Sequence, residues 1–157
     1  MVLLRTLAYA TLFVSLVLVL LPSQILRWFG VTRPAGAGVQ EAVGIAVVVL
    51  GAALALWCIL TFALVGRGTP APFDPPRRLV MVGPYRFVRN PMYIGAGTAL
   101  MGAAIIYRSM ALIGFVALFL LVTHIFVVSY EEPTLRRIFG DEYESYRRRV
   151  RRWLPRW

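Results

Sequence analysis

Residues 83–93 read Gly-Pro-Tyr-Arg-Phe-Val-Arg-Asn-Pro-Met-Tyr, and this stretch runs directly into an apolar segment. A second polar cluster, Glu131-Glu132, follows the last apolar segment of the chain. Both clusters therefore lie where hydrocarbon gives way to water, and together they hold two arginines, two tyrosines and two carboxylates. A chain that only had to cross a bilayer would not need both signs of charge and two prolines there. The clusters indicate a site that binds something polar at the membrane edge.

Four apolar runs surround these clusters, and their lengths predict membrane helices. They extend from about Leu7 to Leu21, Val43 to Val65, Met92 to Tyr107 and Met110 to Tyr130. A spanning helix needs about 20 apolar residues, so the second and fourth runs are long enough. The first is long enough if Met1 to Leu4 belong to it, and only Arg108-Ser109 separates the third from the fourth. We expect an all-α membrane protein with about four transmembrane helices, a tight hairpin between the last two, a cytoplasmic proline-rich loop and an amphipathic C-terminal helix.

The composition agrees with one integral-membrane domain. At 157 residues the length predicts a single domain. We divide it into two N-terminal spans (1–65) and a part that holds the loop, the hairpin and the last helix (66–157). Hydrophobic residues make up 59% of the chain, above the usual share of a soluble domain. All 17 basic side chains are arginines, against 7 acidic ones. In a membrane protein this surplus favours anionic lipid head groups as partners. We expect no nucleic acid among them.

The placement of arginine predicts the orientation. Three arginines, Arg27, Arg33 and Arg108, fall on one side of the predicted spans, and the other fourteen fall on the opposite side. An excess of arginine marks the cytoplasmic side, so we expect both termini and the loop there. Arg5 and the first run are similar to a signal peptide, but residues 21–24 offer no small-x-small cleavage site. We expect a retained helix.

Two segments outside the spans have patterns of their own. The prolines and glycines between Gly66 and Pro91 exclude a continuous helix, and residues 77–82 are predicted to lie extended across the helix ends. In the tail, Glu131-Glu132-Pro133 is typical of a helix start, and Gly140 is expected to end that helix. Four apolar residues then recur at helical spacing, namely Tyr143, Tyr146, Val150 and Trp153. Opposite them, Arg147 to Arg149 and Arg151-Arg152 are expected to face water or anionic head groups, so this pattern predicts a helix lying on the membrane.

The candidate residues inside the spans have two interpretations each. Cys58 and His124 are each alone, which makes a metal site improbable. His124 lies seven residues before Glu131, so both share a face of a continuous helix. A histidine in a membrane span is a candidate functional residue. Alternatively, it only makes a hydrogen bond to a neighbouring helix. Gly95-Ala96-Gly97 favours close helix packing, or lets a ligand approach the backbone.

The order of these motifs resembles one family closely. The chain has Gly-Pro-Tyr-Arg-x-Val-Arg-x-Pro-x-Tyr, then a hairpin, then Glu-Glu-x-x-Leu-x-x-x-Phe-Gly-x-x-Tyr-x-x-Tyr. This order is similar to that of the integral-membrane methyltransferases that include isoprenylcysteine carboxyl methyltransferases and phosphatidylethanolamine N-methyltransferases. The resemblance covers residues 77–155. It implies S-adenosylmethionine bound in a pocket that faces the cytosol, and a membrane lipid or lipidated small acceptor that arrives from the bilayer.

The resemblance also implies which residues bind the cofactor. By position they are Tyr85, Asn90, Pro91, Met92 and Tyr93, the backbone of Arg77, Arg78, Leu79 and Val80, the pair Glu131 and Glu132, and Gly95 and Gly97, which correspond to a glycine motif. The residue types fit this chemistry, because a guanidinium, from Arg89 or Arg86, can hold the cofactor carboxylate. A glutamate can hold its ammonium group. The sulfonium is already activated, so alignment and exclusion of water remain for the protein, without a metal or a covalent intermediate.

Two departures from the family pattern concern the acceptor. Many members have histidine where this chain has Asn90. The carboxyl-methylating branch tends to have an arginine one turn before the glutamates, where this chain has Val127. A carboxylate acceptor would lack that counter-charge, so an amine, hydroxyl or thiol on a lipid is at least as plausible an acceptor, with His124 as the candidate proton acceptor. The alternative from another class is a non-enzymatic cationic membrane module, whose tail binds anionic lipid or a partner protein.

Overall fold

The computed structural model describes residues 8, 11–34, 38–66 and 77–155. The expected extension of the first span to residues 1–4, Arg5, most of the proline-rich loop (67–76) and Arg156 lie outside the described residues. Five helices are formed in the described part: α1 (Thr11–Trp28), α2 (Val39–Gly66), α3 (Pro91–Tyr107), α4 (Met110–Phe126) and α5 (Glu132–Arg149). A π-helical turn, Val127–Glu131, joins α4 to α5 without interruption.

The predicted fold class is confirmed. Helices α1, α2 and the continuous α4–α5 helix are long and apolar enough to cross a membrane, and α3 is a shorter apolar helix. Among the described residues no strand is formed. One boundary differs, because α1 continues beyond the expected end at Leu21 to Trp28. Pro22 does not stop it, since a π-helical stretch, Val14–Leu20, already interrupts the regular hydrogen-bond ladder just before the proline.

The hairpin between α3 and α4 is as tight as predicted. Arg108 has a left-handed conformation (φ 49°, ψ 39°) that ends α3. Ser109 then begins α4, and its hydroxyl accepts a hydrogen bond from the Leu112 amide at 3.3 Å. The turn therefore needs only two residues, and it holds the two helices antiparallel.

Helix α3 is central, because it packs against α2 on one side and α4 on the other. Its contact with α2 is a glycine seam, formed by Gly44 and Gly51 of α2 with Gly102 and Gly95 of α3. A Cβ atom on Gly51 would lie 2.4 Å from the Ala99 amide nitrogen, and one on Gly95 would lie 2.8 Å from that of Ala55. The backbones can approach so closely only because these side chains are absent.

Helix α1 covers the other side of the hairpin. Val17 and Leu18 pack against a buried cluster from α3 and α4 that consists of Ala96, Leu100, Val116 and Phe119. Large apolar side chains on the outer faces of the helices remain exposed, as expected where lipid replaces water. Since the helices run antiparallel, residues 77–90 and α5 lie at one end of the bundle, and residues 29–34 and 108–109 lie at the other.

The tail folds back onto the loop. Helix α5 bends at Gly140 (φ 49°, ψ −122°), where the sequence predicts a helix end, and it ends at Arg149. Tyr143, Tyr146 and Val150 are buried together, and Leu79 and Met81 of the loop pack against them. The predicted apolar face is therefore present, but it covers the loop and not the bilayer. Trp153 lies beyond the helix, because Val150 is already extended.

Candidate functional site

The two polar clusters of the sequence meet at one end of the bundle. The Tyr93 hydroxyl donates to Glu131 Oε2 at 3.2 Å, which links α3 to the end of the π-helical turn. The Arg89 guanidinium lies 2.9 Å from Glu132 Oε1, which links the loop to the start of α5. The hairpin produces this convergence, because it returns the chain to the level at which α3 began.

Glu132 is the centre of an ion network. Its side chain is 11% exposed, and Arg152 binds both of its oxygens, from Nε at 2.8 Å and from Nη2 at 2.9 Å. These hydrogen bonds are the main reason that the pKa of Arg152 is raised above its ordinary value. With Arg89 on the same carboxylate, two cations already neutralise Glu132. The expectation that Arg152 faces water or head groups is therefore wrong. Glu132 has a structural role, because it holds Arg89 and Arg152 together.

Arg89 has a buried donor without a partner among the described residues. Its side chain is only 10% exposed, and Nη1 also donates to the Tyr143 hydroxyl at 3.1 Å. Its Nε atom is buried and has no hydrogen-bond partner among the described residues. A buried donor without a partner is costly, so this atom fits an additional acceptor group at the site. Arg86, the other candidate for the cofactor carboxylate, is exposed and lies over the Phe87 ring at 4.7 Å.

Glu131 differs from Glu132 in its partners. It is partly exposed, and among the described residues its hydrogen-bond partner is Tyr93, which donates to Oε2 alone. No arginine contacts it in the described part of the chain. Its second oxygen can therefore accept from a cationic donor such as an ammonium group.

The remaining motif residues, among them Tyr85, Asn90 and Pro91, lie between the loop and the helices, and we call this layer the wall of the site. Tyr85 is buried, and its backbone oxygen accepts from the Tyr146 hydroxyl at 2.6 Å. Burial raises the pKa of the Tyr85 phenol, which keeps the hydroxyl protonated. Asn90 is buried at the start of α3 and donates from Nδ2 to the Arg152 carbonyl at 3.3 Å. Pro91 fills the first helical position, where its missing amide hydrogen is not needed.

Residues 77–80 and Met92 line the same wall. Arg77 and Arg78 are exposed, and both backbone amides donate to the Gly66 carbonyl, at 2.9 and 3.3 Å. Leu79 packs against the tail. Val80 and Met92 pack in a cluster around Cys58 and Tyr85.

The glycine motif has a packing role. Gly95 lies in the seam with α2, and a Cβ atom on Gly97 would meet Leu120 Cδ2 of α4 at 3.0 Å. Each missing side chain therefore accommodates a neighbouring helix. Of the two interpretations left open by the sequence, close packing accounts for both glycines, and neither faces open space.

His124 lies on the exposed face of α4. Its Nδ1 atom accepts a hydrogen bond from Trp153 Nε1 at 3.0 Å. Val127, by contrast, is fully buried, so its side chain does not line the face that His124 occupies. The tail brings Arg152 to the end of α4 near Val127, but its guanidinium is bound to Glu132 there.

Sequence reasoning missed the contribution of the tail to this site. Four tail residues make hydrogen bonds to this region: Tyr143 to Arg89, Tyr146 to Tyr85, Arg152 to Glu132 and Trp153 to His124. The spacing of the aromatic residues indicated a shared face but not its partner. Arg152 carried no signal, since it is one of eight arginines in the tail.

Comparisons with known proteins give one family match and two similar proteins. The sequence profile of the phospholipid methyltransferase family matches residues 39–142. A protein named methanethiol S-methyltransferase 1, from Bradyrhizobium diazoefficiens, is 35% identical over 98 residues, which are 61% of this chain and 31% of that protein. An uncharacterised protein of Haemophilus influenzae is 48% identical over 47 residues, which are 30% of this chain and 73% of that protein. No solved structure matches.

Proposed function

The chain belongs to the phospholipid methyltransferase family, and we propose that it transfers a methyl group from S-adenosylmethionine to a lipid-like or lipidated acceptor. Membership and the named relative indicate a membrane methyltransferase. The family's name supports a lipid acceptor, and the relative's name supports the thiol among the acceptors that the sequence leaves open. Amine, hydroxyl and thiol groups all remain within the proposal.

One observation carries the choice of the site. Of two adjacent carboxylates at the membrane edge, Glu132 is neutralised by Arg89 and Arg152, while Glu131 has only the Tyr93 phenol as a hydrogen-bond partner among the described residues. Because α4 continues into α5 without interruption, neither carboxylate lies at a free helix start, so the predicted stabilisation of a helix start does not account for Glu131. We assign Glu131 to the ammonium group of the cofactor.

The other residues of the site fit the same cofactor. Arg89 Nε, the buried donor without a partner among the described residues, suits the cofactor carboxylate. Tyr85, Asn90, Pro91, Met92 and Tyr93 would form the wall beside it, with the backbone of residues 77–80 at the adenosine end. When bound, the cofactor supplies a methyl group that is already activated by the sulfonium. The chain's own residues then align the two reactants and exclude water.

The proposed location follows from the charges. The site lies at the end of the bundle that carries the loop and the tail, where the arginines are concentrated. By the positive-inside rule this end faces the cytoplasm, where the cofactor would enter. The acceptor would approach from the bilayer, along the exposed face of α4 that carries His124.

Titration of the purified protein with S-adenosylhomocysteine tests the cofactor site. We expect binding by the wild type, and a Kd raised about tenfold or more in Glu131→Gln, because a charge-assisted hydrogen bond is lost. Glu142→Gln, a change of the same chemistry at an exposed position of α5, is the control and should bind like the wild type. No binding by the wild type, or equal binding by Glu131→Gln, would overturn the proposal.

The acceptor is identified by a transfer experiment. Membranes that contain the protein are incubated with S-adenosylmethionine carrying a radiolabelled methyl group, and lipid and protein fractions are counted separately. We expect the label in the lipid fraction and stable to base. Base-labile label would indicate a methyl ester, and so a carboxylate acceptor that binds without an arginine at position 127.

A further inference from the structure

His124 is the only histidine of the chain, and it lies in an unusual position. It is exposed on α4 among apolar side chains that are also exposed, including Leu120, Leu121, Ile125 and Val128. In a bilayer this face contacts lipid, where a polar group without a hydrogen-bond partner is costly. Each of the two ring nitrogens therefore needs a partner.

Trp153 satisfies one of these nitrogens and thereby fixes the other. An indole Nε1–H can only donate, so Nδ1 of His124, at 3.0 Å, must be the acceptor. In a neutral imidazole one nitrogen carries the hydrogen and the other accepts. The proton of neutral His124 is consequently on Nε2, which has no hydrogen-bond partner among the described residues.

We propose that Trp153 is a positioning residue that holds His124 in its Nε2–H tautomer. In that tautomer the histidine donates a hydrogen bond to the incoming methyl acceptor and does not act as a base. This inference rests on the proposed function, in which the acceptor arrives from the bilayer side of α4. A methyl acceptor that fits this donor has an oxygen or nitrogen atom that accepts a hydrogen bond. An Nε2 atom that already carries a proton cannot take one from the acceptor.

The position of Trp153 is set by the cofactor side of the molecule. Arg151 pairs with the loop, because its carbonyl accepts from the Arg89 amide at 2.9 Å. Arg152 binds Glu132 with its side chain and Asn90 with its carbonyl. These contacts anchor the chain immediately before Trp153 and place the indole against His124. One short segment therefore connects the residues assigned to the methyl donor with the histidine assigned to the acceptor.

Nitrogen NMR of the imidazole tests the tautomer directly. The protein is labelled with 15N-histidine, and its single imidazole is recorded in detergent micelles at mildly alkaline pH. We expect an unprotonated Nδ1 and a protonated Nε2 in the wild type. Trp153→Phe keeps an aromatic ring but loses the N–H donor, and should give a mixture of tautomers.

The control is Trp28→Phe, which changes an 89% exposed indole that makes no contact with His124 in the described structure, and it should leave the spectrum unchanged. A protonated Nδ1 in the wild type, or a wild-type spectrum in Trp153→Phe, would overturn the inference. The measurement uses no cofactor or acceptor. Its failure is therefore distinct from failure of the proposed function, which the S-adenosylhomocysteine titration reports.

A pair of substitutions at His124 separates donor from base. Glutamine places an amide N–H near the position of Nε2 but cannot act as a base, and leucine provides neither function. We measure the initial rate of label transfer in membranes that hold equal amounts of each protein. A donor role predicts that His124→Gln stays within about threefold of the wild type while His124→Leu falls about tenfold. Equal and large losses in both variants, of about a hundredfold as for a general base, would overturn the inference, as would no loss in either.

Discussion

Glu131 and Glu132 are neighbours in the sequence but contact different parts of the molecule. Successive residues of a helix point about 100° apart. One side chain therefore reaches Tyr93 of α3, and the other reaches Arg89 and Arg152. Substitutions at the two positions should consequently have different effects: changes at Glu131 should affect ligand binding, and changes at Glu132 or at its partner Arg152 should affect stability.

Removal of Arg152 tests the structural half of this division. We expect Arg152→Gln to lower the free energy of unfolding by about 1–2 kcal/mol, because two charge-assisted hydrogen bonds to Glu132 are lost. The effect is limited, since Arg89 still pairs with Glu132 and the Arg152 side chain is 31% exposed. Thermal unfolding in detergent, followed by circular dichroism, measures the difference.

Arg151→Gln is the matched control for this experiment. It removes the same charge one residue earlier, from a side chain that is exposed and makes no ion pair in the described structure. Its midpoint temperature should stay close to that of the wild type. If both variants unfold at the same temperature, the ion network around Glu132 contributes no more to stability than an exposed arginine does.

At the scale of helices, the glycine seam between α2 and α3 sets the position of the site. Helix α3 begins at the motif residues, so its distance from α2 determines where Asn90, Pro91 and Tyr93 lie. The seam depends on both helices, because Gly51 faces the backbone of α3 and Gly95 faces that of α2. If packing is the reason for these glycines, a change on either helix should have the same consequence.

Gly51→Ala tests the seam from the helix that carries none of the motif. We expect this substitution to lower the free energy of unfolding by about 1–3 kcal/mol, since the added methyl group would lie 2.4 Å from the Ala99 nitrogen. Gly114→Ala is the control, because a Cβ atom there meets nothing within 4 Å. Alanine favours helix over glycine by about 1 kcal/mol, so this variant should be unchanged or more stable. A harmless Gly51→Ala would contradict the packing role.

The sequence predicts these helices well because their signals are local. Run length predicts the spans, and the two residues Arg108-Ser109 predict the hairpin. The path of the tail is different. Tyr143 and Tyr146 indicate an apolar face by their spacing, but a membrane surface and the loop are equally good partners for such a face. Only the bend at Gly140 and the contacts of Leu79 and Met81 decide for the loop.

The same distinction applies to the candidate site. Motif order brings Glu131, Tyr93 and Arg89 together correctly, since all three lie next to the predicted hairpin. It does not predict which of two adjacent carboxylates is neutralised. That depends on Arg152, which is 20 residues away from Glu132 along the chain. The roles proposed for the motif residues stay predictions.

At the scale of the whole molecule, charge is distributed unevenly between the two ends of the bundle. Exposed arginines of the loop and of α5 surround the end that carries the candidate site, among them Arg77, Arg78, Arg137 and Arg147. The opposite end has Arg27, Arg33 and Arg108, and Arg33 pairs with Glu41 there. Since arginine-rich ends stay in the cytoplasm, this asymmetry predicts one orientation for all the helices.

Cysteine labelling tests that orientation. Cys58 is fully buried, so the wild-type chain should not react with a membrane-impermeant maleimide and serves as the blank. Thr32→Cys lies between α1 and α2, and Phe87→Cys lies between α2 and α3, and both positions are exposed. In spheroplasts of an expressing bacterium we expect the reagent to label Thr32→Cys alone, and in detergent to label both. Labelling of both from outside would mean that α2 does not cross the bilayer. Labelling of Phe87→Cys alone would show the opposite orientation, in which the candidate site faces away from a cytoplasmic methyl donor.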